Sequence, residues 1–141
     1  MKINFLVAEE FRPEAGGKQM VLGLYPDDMI VLEPRPNIDY SPNIPEGLDR
    51  LSFLITISDA PENKHRYKAQ IIDPSGNPHG PEMSLGESEI EKGTSKTFII
   101  ESKPFIMSGK GLYHLNFYVD DELHSFPFGL ILKSPERATA S

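Results

Sequence analysis

The stretch GKGLYHLNFYVDDELHSFPFGLIL, running from Gly109 to Leu132, decides the fold. Tyr113, Leu115, Phe117 and Val119 alternate with His114, Asn116 and Tyr118, and a period of two places one apolar row on one side of a pleated strand. Beyond the acidic corner Asp120-Asp121-Glu122, the residues Phe126, Phe128, Leu130 and Leu132 repeat the spacing. Two such strands around a short polar turn predict a β-hairpin with one buried face. An isolated hairpin is at best marginally stable in water, so the rest of the chain must cover that face.

Working outward, the same alternation recurs in Leu51, Phe53, Ile55 and Ile57 against Ser52, Leu54, Thr56 and Ser58. After a turn at 59–63, His65 to Asp73 supplies a partner strand with Tyr67, Ala69 and Ile71 on one face, and Pro74-Ser75-Gly76-Asn77 has turn chemistry. Pro78 to Gly93 is polar, with Met83 and Leu85 marking a short edge strand, and Thr97 to Glu101 is a further strand. At the start, Ile3 to Ala8 reads as a short strand buried on both faces. Glu9 to Gly17 reads as a polar loop, Lys18 to Leu24 as a strand, Tyr25 to Asp28 as a turn and Met29 to Leu32 as a third strand. About eight or nine short strands with no helix-period segment predict an all-β, antiparallel two-sheet sandwich, with a closed barrel as the alternative.

The chain has 141 residues, which suits one domain; residues 1–133 are assigned to it and 134–141 to a disordered tail. Hydrophobic residues make up 38% and charged residues 25%, a soluble-globular balance. Thirteen prolines and eleven glycines favour short strands and turns over long helices. With no cysteine, stability has to come from packing alone. The opening MKINFLVAEEF lacks the apolar core of a signal peptide, and no apolar run approaches the roughly twenty residues of a membrane span, so the expected location is cytoplasmic. A net charge of −7 argues against nonspecific binding to nucleic acid or anionic membrane.

Two resemblances follow from particular residues. The segment FLVAEEFRPEAGGKQMVLGLYPDDMIVL, with Glu9, Glu10, Gly16, Gly17, Lys18, Gly23 and Asp28, resembles the start of an uncharacterised bacterial family of small all-β proteins. In that family an apolar strand, an acidic loop, a Gly-Gly-Lys turn and a strand ending in Gly come in this order. The resemblance implies the fold and carries over no catalytic residue. The step Gly111-Leu112-Tyr113, a tyrosine opening the penultimate strand after a glycine turn, resembles the tyrosine corner of immunoglobulin-like sandwiches. That resemblance implies a hydroxyl bonded to backbone a few residues upstream. The cysteine pair and core tryptophan of immunoglobulin domains are absent, so the expected kinship is with the wider sandwich class.

The loop EPRPNIDYSPNIPEGLD, Glu33 to Asp49, carries Pro34, Pro36, Pro42 and Pro45, which forbid helix and interior strand. Prolines lower the entropy lost on binding, and the loop offers Ile38, Tyr40 and Ile44 as apolar area with Arg35, Asp39 and Glu46 as a polar rim. Arg35, Ile38, Tyr40 and Ile44 are therefore the expected partner-binding residues; the competing account is that the loop seals one end of its own sandwich. No catalytic, metal or cofactor site is expected. His114 and His124 beside Asp120, Asp121 and Glu122 match no ligand set, and the neighbours in Glu9-Glu10 and Asp27-Asp28 point opposite ways on an extended chain. Glu87, Glu89 and Glu91 alternate and read as a charged edge that blocks aggregation. The basic run Lys64-His65-Arg66-Tyr67-Lys68 splits between two strand faces. The expectation is a non-enzymatic protein-binding or assembly module acting through loops or edge strands, with a protein partner, no nucleic acid and possible homo-oligomers. The alternative is a small-ligand or carbohydrate-binding sandwich, and a hydrolase built from distant carboxylates is a third reading.

Overall fold

The computed structural model describes residues 1–32, 47–61 and 63–132. Eleven strands follow in order: β1 (Lys2–Pro13), β2 (Gln19–Leu24), β3 (Met29–Leu32), β4 (Gly47–Leu48), β5 (Leu51–Ser58), β6 (Lys64–Ile72), β7 (Met83–Glu89), β8 (Ser95–Ser102), β9 (Phe105–Ile106), β10 (Gly111–Val119) and β11 (Glu122–Leu132). They build a four-stranded sheet, β2-β1-β5-β8, and a five-stranded sheet, β3-β11-β10-β6-β7, with the two-residue strands β4 and β9 paired separately. This is the expected two-sheet sandwich. One pairing departs from the antiparallel expectation: β3 runs parallel to β11, with Ile30 beside Leu130. The excursion through β2 brings the chain from an edge of one sheet to an edge of the other, and β3 then enters in the direction of β11.

The deciding hairpin forms as read. Tyr113, Leu115, Phe117 and Val119 are buried together with Phe128 and Leu130. Across the interface stand Leu51, Phe53, Ile55 and Ile57, each fully buried. Aromatic rings stitch the sheets together: Phe5 lies 4.9 Å from Phe126, Phe53 5.0 Å from Phe128, and Phe98 4.7 Å from Tyr67. Phe105 on β9 is buried against Tyr113 and Phe128. The first strand differs from its reading. It extends through Glu9–Pro13, where a loop was expected, because those residues pair with β2, Phe11 opposite Val21 and Pro13 opposite Gln19. It is also not buried on both faces, since Leu6 is left exposed.

The tyrosine corner is present. The Tyr113 hydroxyl donates to the Gly109 carbonyl at 2.7 Å and accepts the Ser108 N–H at 2.8 Å. Asp73 secures the turn after β6 by accepting the backbone N–H groups of Ser75 and Asn77, both at 2.9 Å. The β10–β11 connection is a two-residue turn, tighter than the three-residue acidic corner of the sequence reading, because Glu122 already pairs with Val119. Asp120 and Asp121 take φ of 51° and 71°, the left-handed pair that matches the twist of a hairpin.

Candidate functional site

The site begins on β6. Its inward residues His65, Tyr67, Ala69 and Ile71 are buried, so the intervening Lys64, Arg66, Lys68 and Gln70 all project from the outer face of the five-stranded sheet. The basic run does split between two faces, but the split gathers its three cations on one of them and leaves His65 and Tyr67 on the other. Side-chain exposure is 65% for Lys64, 71% for Arg66 and 31% for Lys68. Gln70 and Lys68 lie across from Asn116 and Tyr118 of β10, and the Lys68 ammonium stands 4.8 Å from the centre of the Tyr118 ring.

The edge strand β7 supplies the counter-charges through an irregularity. Arg66 pairs with Glu87, but Lys68 pairs with Ser84, so β7 holds one residue more than β6 at this point. Gly86, at φ 84°, accommodates the bulge. The extra residue reverses the strand's alternation. Met83 and Leu85 pack against the core, whereas Glu87 turns outward to Lys64 Nζ at 3.3 Å and Arg66 Nε at 3.2 Å. Those two cations hold its carboxyl below the ordinary carboxylate range. Glu87 thus answers specific cations, which goes beyond the general charged edge expected of it. Asp121 reaches Lys68 at 3.5 Å and Glu82 reaches it at 4.0 Å.

The β10–β11 turn closes the end of this face. Asp120 exchanges two hydrogen bonds with Arg66 of β6: its N–H donates to the Arg66 carbonyl at 2.9 Å, and its Oδ1 accepts the Arg66 N–H at 2.9 Å. Its Oδ2 meets His65 Nδ1 at 2.5 Å, and His65 Nε2 meets the Pro61 carbonyl at 2.9 Å. The hydrogen bonds to Asp120 and Pro61 raise the His65 pKa, and the bonds from Arg66 and His65 lower that of Asp120. An open cleft of 380 Å³ lies between Lys64, His65, Arg66, Glu87, Asp120 and Asp121.

The expected partner-binding residues Arg35, Ile38, Tyr40 and Ile44 lie outside the described residues. His114 and His124 go to opposite faces of their hairpin, because His114 pairs with Pro127 whereas His124 pairs with the buried Phe117. The acidic turn therefore draws neither into a cluster with the other. Among the described residues no three His, Asp or Glu side chains are grouped to hold a metal ion. Glu10 pairs with Arg12 at 3.0 Å and Arg50 at 2.7 Å, an ion network in place of a carboxylate dyad. What the sequence reading missed was the sharing of one face by Lys64, Arg66 and Lys68. The signal was their i, i+2, i+4 spacing.

No family model matches the chain, and no curated protein matches it. Among solved structures the chain is similar to the Pseudomonas fluorescens alkylpurine DNA glycosylase AlkC bound to DNA containing an abasic site analog, at 18% identity and a TM-score of 0.48. The likeness covers 74% of this chain and 28% of that one, so the chain spans about a quarter of its neighbour's length. It corrects the functional expectation: the neighbour is a DNA-bound glycosylase, where the sequence reading looked for an assembly module or a ligand- or carbohydrate-binding sandwich, with a protein partner or edge-strand oligomers and no nucleic acid. Among the described residues no helix is long and apolar enough to cross a membrane.

Proposed function

We propose that this domain is a non-catalytic binding module for single-stranded nucleic acid, and that the outer face of the five-stranded sheet receives the strand. One observation carries the reading: Lys64, Arg66 and Lys68 project side by side from β6, with the Tyr118 ring next to Lys68. Alternate residues of a strand stand about 6.6 Å apart, on the scale of successive phosphates along a single nucleic-acid strand. Cations that track a backbone beside an aromatic ring on which a base can stack are the recurring means of sequence-tolerant single-strand binding. Gln70, Asn116 and Ser125 line the same face and add hydrogen-bonding groups.

The carboxylates bound to these cations set the strength. Glu87 and Asp121 are solvent-exposed, so their ion pairs are worth little, and a phosphate exchanges with them. The net charge of −7 removes long-range attraction, which makes the binding weak and local. Cytoplasmic residence belongs to this proposal.

The test is fluorescence anisotropy with a labelled oligothymidylate over a series of salt concentrations. Three phosphate contacts predict a slope of log K against log salt of about −2, and Arg66→Ala reduces it by about 0.7. Glu87→Gln strengthens binding by freeing Lys64 and Arg66. Absence of binding at low salt, or a slope that Arg66→Ala leaves unchanged, overturns the assignment.

A further inference from the structure

We infer that the nucleic-acid strand on this face runs from the three cations along β6 and β10 to His114, which serves as a second base platform, so that the site holds about five nucleotides. The inference rests on the single-strand reading above and adds to it a direction, a length and a residue. The outward positions of β6 are Lys64, Arg66, Lys68, Gln70 and Ile72, since the residues between them are buried. The antiparallel register sets Tyr118 beside Lys68, Asn116 beside Gln70 and His114 beside Ile72. Five alternate positions spaced about 6.6 Å apart span about 26 Å, the length of about four steps of an extended nucleic-acid strand.

Charge fixes the direction. The cations occupy the first three positions of β6, and carboxylates border them on two sides. Toward β7 stand Glu87 and Glu89, opposite Arg66 and Lys64, with Glu82 4.0 Å from Lys68. At the β10–β11 turn, Asp120 and Asp121 close the end. Both borders repel a phosphodiester chain. Beyond Tyr118 the outward residues of β10 are Asn116, His114 and Leu112, and opposite them on β11 lie Ser125, Pro127 and Gly129. None of these carries a carboxylate, so the open path over the sheet leads along β10 away from the turn.

His114 stands four residues from Tyr118 on the same face, about 13 Å along the strand and about two nucleotide steps away. Exposed Pro127 flanks it on one side and Ile72 on the other. The ring therefore lies in an apolar row, and Leu112, 51% exposed, extends that surface. Unstacked bases are held on histidine as they are on tyrosine. The base between the two rings meets Asn116. Ser125 Oγ donates to Asn116 Oδ1 at 2.8 Å, which leaves the amide N–H groups to donate to an acceptor on that base.

The experiment measures binding of labelled oligothymidylates, from dimer to octamer, to the full chain at low salt by fluorescence anisotropy. Affinity should climb with length to about five nucleotides and level beyond it. His114→Ala should weaken binding of the hexamer about five-fold or more, the lower end of what one stacked base contributes, and leave the trimer unchanged. The salt slope of the hexamer should stay as it was, because a stacking ring neutralises no phosphate. His114→Phe keeps a platform and should restore the hexamer affinity. A hexamer that binds no tighter than the trimer, or a His114→Ala protein that binds the hexamer as well as the parent does, overturns the second platform and leaves the three-cation reading standing. A chain that binds none of the lengths at low salt overturns both.

Discussion

Two tyrosines in this core, Tyr113 and Tyr67, are both fully buried, yet the same truncation should have opposite effects on them. The Tyr113 hydroxyl donates to Gly109 and accepts from Ser108. Tyr113→Phe removes two hydrogen bonds and leaves a carbonyl and an N–H to find other partners. At about 1 kcal/mol net for each bond, the expected loss is about 2 kcal/mol, twice what a single corner bond implies. With a urea m-value of about 1.5 kcal/mol per molar, the unfolding midpoint falls by about 1.3 M. The Tyr67 hydroxyl has no partner within hydrogen-bonding geometry among the described residues, and burial raises its pKa. Tyr67→Phe deletes a desolvated polar atom and keeps the ring, so stability should stay level or rise slightly. Urea unfolding of the two variants followed by circular dichroism decides the matter. An unchanged midpoint for Tyr113→Phe refutes the corner as a stabilising device, and a loss above about 1 kcal/mol for Tyr67→Phe shows that its hydroxyl is satisfied.

Two further outcomes follow from the core and the charges. Phe117 is fully buried against Phe98 and Tyr67, with ring centres 5.5 and 6.3 Å away, so Phe117→Ala should lower stability by about 3–5 kcal/mol; a loss below about 1 kcal/mol in urea unfolding contradicts its place in the core. For pH, the His65 pKa is raised above 6.5, so its contribution is complete below that pH and is lost as pH rises through the folded value; Asp120 is lowered below 3.8, so its contribution is complete above that pH and is lost as pH falls through the folded value. The pair therefore stabilises most between 3.8 and 6.5, and His65→Gln should flatten the alkaline decline of the urea midpoint; an equal decline in the variant removes His65 as its cause.

The sequence by itself determined the elements that alternate strictly. In β10, β11 and β6 a period of two assigns each side chain to a face without knowledge of any neighbour, so the buried rows around Tyr113, Phe128 and Tyr67 were legible, and the glycine step before Tyr113 announced the corner; β5 departs from that pattern, since Ser52 and Leu54 are buried along with its alternating row. The extent of β1 was not legible: Glu9–Pro13 is polar apart from the buried Phe11 and becomes a strand because β2 pairs with it, and polarity near an edge does not separate strand from loop. The parallel entry of β3 beside β11 was equally hidden, since four residues carry no record of the direction of their partner. The candidate face divides in the same way. The common side of Lys64, Arg66 and Lys68 was written in their spacing. Their partners were not, because the bulge at Gly86 reverses the alternation of β7 and turns Glu87 outward. The approach of Asp120 to His65 closes a gap of 55 residues. A bulge changes facing without changing composition, and a contact across 55 residues depends on which strands become neighbours. Tertiary pairing settles both, and the local pattern settles neither.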